Sequence, residues 1–326
     1  MEAQAARPVT HGGRISQTVA RIGANAPAES LFVVSAIFHY LGPAFAVLLF
    51  ARVEVLGVAW LRIASAALVF AAWRRPWRGI ARLDPEGRRL LVAWGAVLAV
   101  MNACFYLAID RLPLATVAAI EFLPVILLAA LGARTPRNAL ALLLAVPGVY
   151  LLTGVQIEGE ALGVALAFAN AGLFAAYIVL AHRVSRLGAL SGIDGLALSM
   201  LVALVVVTPM AGREALPAIG DPVALAAGVG VGICSSVIPY VSDQLAMRRL
   251  ARSTYALMVS LLPATATVIG IVVLAQVPTL AEVAGVALVI AGVAVHRDAE
   301  QADRVPSSHG AERHRRARGR RRLRTG

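Results

Sequence analysis

The stretch 114–132 reads LATVAAIEFLPVILLAALG, and apart from Thr116 and Glu121 it is apolar throughout. Its length is what a helix needs to cross the hydrocarbon core of a bilayer, about 20 residues. Pro124, three residues after the carboxylate, removes a backbone donor and loosens the helix there. A soluble protein has little reason to surround one acid with this much hydrocarbon. A membrane protein does so when the acid has a partner, a water-filled cavity or a task.

The rest of the chain repeats the pattern. Of 326 residues, 59% are hydrophobic and 15% charged, with a mean hydropathy of +0.78. A soluble domain would carry about a quarter charged residues. The apolar blocks predict ten transmembrane helices near 30–50, 54–73, 89–109, 114–132, 138–154, 161–182, 192–211, 222–246, 254–275 and 279–296. The expected fold class is an all-α, polytopic membrane protein.

Lysine is absent, so all 30 basic residues are arginine, and ten of them follow residue 296. Against four acids in the same stretch, these ten arginines give half of the net charge of +12, so the high pI is mostly a tail property and nucleic acid is not expected as a partner. That tail, RHRRARGRRRLR (313–324), is expected to be disordered and to touch anionic lipid headgroups. Residues 1–28 are polar and show no removable signal peptide. Cys104 and Cys234 lie in apolar blocks and suggest neither a metal site nor a disulfide framework.

The arginines give an orientation. Loops between even and following odd spans are basic: Arg74, Arg75, Arg78, Arg82, Arg88 and Arg89, then Arg134 and Arg137, then Arg183 and Arg186, then Arg248, Arg249 and Arg252. The alternate loops hold Arg52, Arg111 and Arg213 among acids such as Glu54, Asp110, Glu214 and Asp221. Basic loops stay in the cytoplasm, so both termini are expected there.

The two halves resemble each other. LAIDRLPLATVAAI (107–120) aligns with LAMRRLARSTYALM (245–258), each before the fourth span of its half. Five spans is an odd number, so the second copy enters the membrane inverted, as in many transporters. The expected organisation is a polar cytoplasmic segment at 1–28, five-helix repeats at 29–157 and 158–297, and the arginine-rich cytoplasmic tail at 298–326.

Several residues could carry function. Hydrocarbon disfavours the charged form of an acid, which makes Glu121 a candidate proton carrier. Arg62 lies too deep in the second span for a simple interface anchor and needs a partner. Glu121 is the nearest acid in depth, so the two could form a structural ion pair or receive the two charged ends of an amino acid. Asn102 and Tyr106 share one helix face, as do Asn170, Phe174 and Tyr177, and Ser236, Tyr240 and Asp243. Such stripes either line a cavity or join helices. His39, in FHYLGP, is of the one residue type whose ordinary pKa lies near neutrality and could assist coupling, or could simply pack beside Gly42-Pro43.

WLRIASAAL (60–68), PWR (76–78), MNACFYLAIDRLPLATVAAIEF (101–122), AAYI (175–178), IPYVSDQLAMRRL (238–250) and PTLAEVAGVALVIAG (278–292) resemble the EamA-type branch of the drug/metabolite transporter superfamily. Within it they look most like the threonine/homoserine exporters. The chain departs from those exporters at Leu262-Pro263 and Gln276, where they carry glutamates, and in the spacing of EFLP (121–124). The resemblance implies a secondary exporter of small neutral amino acids in a bacterial inner membrane, with a central site and no cofactor. Proton-coupled alternating access would drive it. No HExxH, GxSxG or Walker A lysine suggests an enzyme. The remaining alternatives are a same-fold exporter of another metabolite or drug, a membrane-embedded lipid enzyme and a non-transporting sensor. A homodimer stays open.

Overall fold

The computed structural model describes residues 27–80, 83–132, 135–154, 157–188, 190–247, 249–250, 258 and 261–295. The expected N-terminal segment, the arginine-rich tail and much of the second copy of the repeated motif (251–257) lie outside these residues.

The main helices in chain order are α1 (Ala28–Leu49), α2 (Val55–Arg74), α3 (Pro85–Ile109), α4 (Leu114–Gly132), α5 (Pro136–Gly154), α6 (Ile157–Arg186) and α7 (Gly192–Ala211). Next comes α8, which runs through Pro222–Gly232, a π-helical turn Ile233–Val237 and Ile238–Met247, followed by α9 (Leu262–Leu274) and α10 (Leu280–Val295). Among the described residues six helices are long and apolar enough to cross a membrane: α1, α2, α3, α6, α7 and α8. Four shorter apolar helices, Leu114–Pro124, Pro136–Leu152, Leu262–Leu274 and Leu280–Val295, accompany them.

Local chemistry sets the helix starts. Asp84 accepts a hydrogen bond from the Gly87 N–H at 2.8 Å, and Pro85 takes the first helical position. Helix α3 therefore begins before the expected residue 89 and takes Arg88 and Arg89 into its first turns. Ser191 caps α7 through the Asp194 N–H at 3.2 Å. Thr279 and Glu282 form a reciprocal capping box at α10, with bonds of 2.7 and 3.2 Å to the backbone N–H of Thr279 and Glu282. Asp221 caps α8 through Val223 and Ala224. The Ala224 and Val223 N–H groups and Arg52 hold its carboxyl below the usual carboxylate range. That contribution to folding is present at neutral pH and is lost as acid protonates the cap.

The principal packings are α5 on α10, α2 on α7, α4 on α9, α3 on α6 and α7, α8 on α1 and α2, α6 on α4, and α9 on α1. The α5–α10 pair is backbone to backbone. A Cβ at Gly148 would sit 2.8 Å from the Gly285 carbonyl, and one at Gly285 would sit 2.8 Å from the Gly148 carbonyl. Small residues at such crossings let helices approach where lipid offers no hydrophobic drive.

Loops meet in two groups. At one end Arg52 pairs with Asp221 at 3.3 Å, and Gln276 accepts a hydrogen bond from the Leu114 N–H at 3.1 Å. At the other end Arg74 forms a bidentate pair with Asp194, at 2.8 and 3.2 Å. Loops of the same expected sidedness are thus the ones that touch.

Candidate functional site

Arg62 and Glu121 are each about 8% exposed. Arg62 sits on α2 where two buried apolar clusters adjoin, between Leu61 of one and Ile63 of the other. Polar side chains from six helices, α1, α2, α3, α4, α6 and α8, surround it.

Proline prepares it. Pro239 has no N–H, so the carbonyl of Ser235, four residues earlier, has no helical donor. The chain relaxes into the π turn Ile233–Val237, in which the Ile238 N–H reaches back to the Ile233 carbonyl. Arg62 Nη2 then donates to the Ser235 carbonyl at 3.4 Å, while Arg62 Nε donates to Ser236 Oγ at 3.2 Å. Pro43 and Pro124 likewise leave the carbonyls of His39 and Ile120 without their helical donors. Gly42 lies against Ser235, and a Cβ there would collide with the Ser235 backbone. Only glycine lets α1 come this close.

The Tyr106 ring lies under the Arg62 guanidinium, 5.5 Å from centroid to Cζ. A cation over a desolvated aromatic face is stabilised by about 2 kcal/mol. Glu121 accepts one hydrogen bond, from Asn170 Nδ2 at 3.2 Å. The ion pairs among the described residues are Arg52–Asp221, Arg74–Asp194 and Arg111–Asp110, and Arg62–Glu121 is not one of them. The two charges feel each other through the site without touching.

Two poles result, each with unsatisfied groups. The hydroxyls of Tyr106 and Ser235 accompany Arg62, and both lack a partner of good geometry. Near Glu121, the Tyr40 hydroxyl and Asn170 Oδ1 are also buried and unpartnered. An unpaired buried polar group costs about 1–3 kcal/mol, and among the described residues the Tyr40 hydroxyl and Asn170 Oδ1 are two such groups.

The other expected residues divide around this centre. His39 packs edge-on to Tyr40, with ring centroids 5.1 Å apart. Tyr240 lies in the field of both Arg62 and Glu121, and it packs against the same apolar cluster as Tyr177. Tyr177 stacks on Phe174 at 6.2 Å and meets Trp94 at 5.7 Å, which ties it to the α3–α7 core. Asp243, half-buried, points toward Ser35 on α1, a step away from the centre. Asn102 donates its amide to the Leu98 carbonyl one turn back, at 2.8 Å, and this bond within its own helix is its only side-chain hydrogen bond among the described residues.

Tyr40 and Ser235 are absent from the sequence-derived candidates, although they neighbour His39 and Ser236 in the chain. The signal available for Ser235 was its position four residues before Pro239.

Residues 161–296 match the model of the EamA-like transporter family. The chain is similar to the threonine/homoserine exporter RhtA of Salmonella typhimurium (strain SL1344), at 30% identity over 253 residues, which covers 77% of this chain and 84% of the relative. It is similar to RhtA of Escherichia coli (strain K12) at 31% identity with the same coverage. A solved crystal structure shares the fold at a TM-score of 0.52 and 21% identity, covering 82% of this chain and 96% of its own.

Proposed function

The chain belongs to the EamA-type drug/metabolite transporters, close to the threonine/homoserine exporters, and from that premise we propose that it exports small neutral amino acids by proton-coupled alternating access. The observation that carries the amino-acid reading is the pair Arg62 and Glu121. Both are buried, they are opposite in charge, and they are not bonded to each other. A zwitterion between them would give its carboxylate to Arg62, whose planar fork suits that group, and its ammonium to Glu121. Each end would meet a buried counter-charge, which lowers the cost of removing it from water.

Helix packing supports two inverted five-helix repeats, 29–157 and 158–297. Exchanging α1–α5 for α6–α10 carries the α3–α6 packing onto α8–α1, α3–α7 onto α8–α2, and α4–α6 onto α9–α1. It leaves α2–α7, α4–α9 and α5–α10 as they are. The family match at 161–296 begins close to the same midpoint. Rocking of one half on the other would expose the site to each side in turn. Arginine-rich loops on one side favour both termini in the cytoplasm of a bacterial inner membrane.

Coupling needs a group whose protonation biases the two states unequally. Glu121 is the site's own acid and fills that role here. When Glu121 is protonated the ammonium loses its counter-charge, so a proton and the substrate compete for one carboxylate. Export against a gradient follows if the outward-facing state favours the proton.

The test is efflux from proteoliposomes loaded with labelled amino acids, with and without a pH gradient. Threonine, homoserine and other small neutral amino acids are expected to leave faster under the gradient. Amines without a carboxylate and acids without an amine are expected to stay. Efflux of none of the amino acids from folded protein would remove the amino-acid reading and leave the fold standing.

A further inference from the structure

Three glycines stand on alternate residues of α8, and their surroundings differ. A Cβ at Gly228 would run into Leu61, and one at Gly232 into Ser65 and the Arg62 carbonyl, so both let α8 lie directly on α2. A Cβ at Gly230 would meet no protein atom within 4 Å. Glycine weakens a helix relative to alanine, and at Gly230 no close crossing of helices offsets that loss. Gly230 instead borders a cleft of about 400 Å³ between α1 and α8.

Phe45 and Leu48 of α1 form one wall of this cleft, and α8 from Val223 to Cys234 forms the other. Phe45, Leu48 and Val223 are exposed, so the cleft opens on the outside of the helix bundle, where a membrane offers lipid. Eleven residues of helix separate Val223 from Cys234, a length of about 16 Å. Half of a bilayer's hydrocarbon core is about 15 Å, so the cleft is as deep as one leaflet. Its lining is apolar except for Arg52 at the shallow end and the Cys234 thiol at the deep end. Arg52 contacts Asp221 through Nη1 alone, at 3.3 Å, and its side chain is 58% exposed. The rest of its five N–H donors are available to a second anion.

We propose that this cleft binds a phospholipid, with one acyl chain running past Gly230 to the π turn and the phosphate on Arg52. Both ends fit one molecule: an apolar slot one leaflet deep, and a guanidinium, the group suited to phosphate, at its mouth. A small polar solute would leave most of its hydrogen-bonding groups unpaired against these walls. The end of the chain reaches Cys234, which lies in the π turn one residue before the carbonyl that accepts from Arg62. Lipid thereby braces the turn on which Arg62 depends. The site takes lipid rather than cargo, so it goes beyond the amino-acid reading and does not depend on it.

The experiment uses the full-length protein in nanodiscs of phosphatidylethanolamine and phosphatidylglycerol. A trace of phosphatidylethanolamine carries a diazirine at the end of one acyl chain. After irradiation, digestion and mass spectrometry locate the label. In native protein, labelling of residues 227–234 is expected to exceed that of Leu143 and Val146, exposed near the middle of α5, by about tenfold, the worth of one hydrogen bond to a charged group. Gly230→Leu puts a side chain into the cleft and should bring labelling of 227–234 down to the α5 level, with α5 itself unchanged. Arg52→Ala removes only an exposed ion pair, which matters little to folding, and should lower the α8 labelling several-fold.

Equal labelling of α8 and α5 in native protein would mean ordinary boundary lipid and overturn the site. Weak labelling of α8 in nanodiscs that hold two copies of the chain would give the cleft to a second copy and overturn it likewise. Strong labelling that monodisperse Arg52→Ala protein retains in full would mean that any apolar chain fills the cleft, and would overturn the phospholipid assignment. The native comparison of α8 with α5 needs no variant. No efflux enters the measurement, so its failure is distinct from failure of the amino-acid reading.

Discussion

Glu121→Gln is expected to leave the protein folded and to abolish the stimulation of efflux by a pH gradient. Glutamine keeps the shape of the side chain, and its amide oxygen can still accept from Asn170 Nδ2, the bond Glu121 makes at 3.2 Å. What disappears is the charge that faces the substrate's ammonium and the titration that links transport to protons. Truncating one side of a buried, hydrogen-bonded charge contact costs about 2–5 kcal/mol, so threonine efflux should fall by at least ~30-fold. The residual rate should not respond to the gradient. Gradient-stimulated efflux that survives the substitution would place the coupling group elsewhere, with Asp243 and His39 the next to examine.

Arg62→Ala is expected to weaken substrate affinity by a comparable factor, about 2–5 kcal/mol, and also to loosen the fold. The guanidinium holds the π turn of α8 through Ser236 and the Ser235 carbonyl, and it covers the Tyr106 ring. Removing it leaves a carbonyl that Pro239 has already deprived of its helical donor. Arg62→Lys separates the two effects. A lysine retains the charge and can reach one of those acceptors, so thermal stability in detergent should recover in part. A point charge cannot reproduce a planar fork that holds α8 and a carboxylate at once, so affinity should stay low. A lysine variant with native affinity would make Arg62 a source of field alone.

Much of this was legible in the chain because hydrocarbon is an unforgiving solvent. Apolar runs interrupted by arginine-bearing loops had to be helices: among the described residues six of the expected spans are helices long and apolar enough to cross a membrane, and the other four expected spans coincide with shorter apolar helices. The shift at α3 has a plain cause in the Asp84-Pro85 cap. Arg62 and Glu121 stood out as lone charges in apolar blocks, and they belong to the same buried layer. Helical spacing could place Asn102 on the face of Tyr106 but could not foresee that its amide would bond to Leu98. A face is a local property; a partner is a tertiary one.

The same limit hid Tyr40 and Ser235. Both read as ordinary members of apolar helices until α1 meets α8 at Gly42. The expected eighth span, 222–246, carries Pro239 as an interruption. The π turn that absorbs this proline, and so exposes the carbonyl Arg62 uses, depends on the neighbouring helices as much as on the sequence. Gln276 is the position at which the resemblance to the exporters leads to the expectation of a glutamate. It now has a structural task, accepting from the Leu114 N–H at the start of α4, which needs no charge.

The measurement that goes most directly to the centre is a structure of the protein with threonine or homoserine bound at neutral pH. The ligand is expected in the layer between α1, α2, α3, α4, α6 and α8. Its carboxylate should lie within hydrogen-bonding distance of Arg62 and its ammonium within that distance of Glu121. An amino acid bound in the reverse sense, or bound away from both residues, would contradict the assignment of Arg62 and Glu121 as the two poles of the transport site.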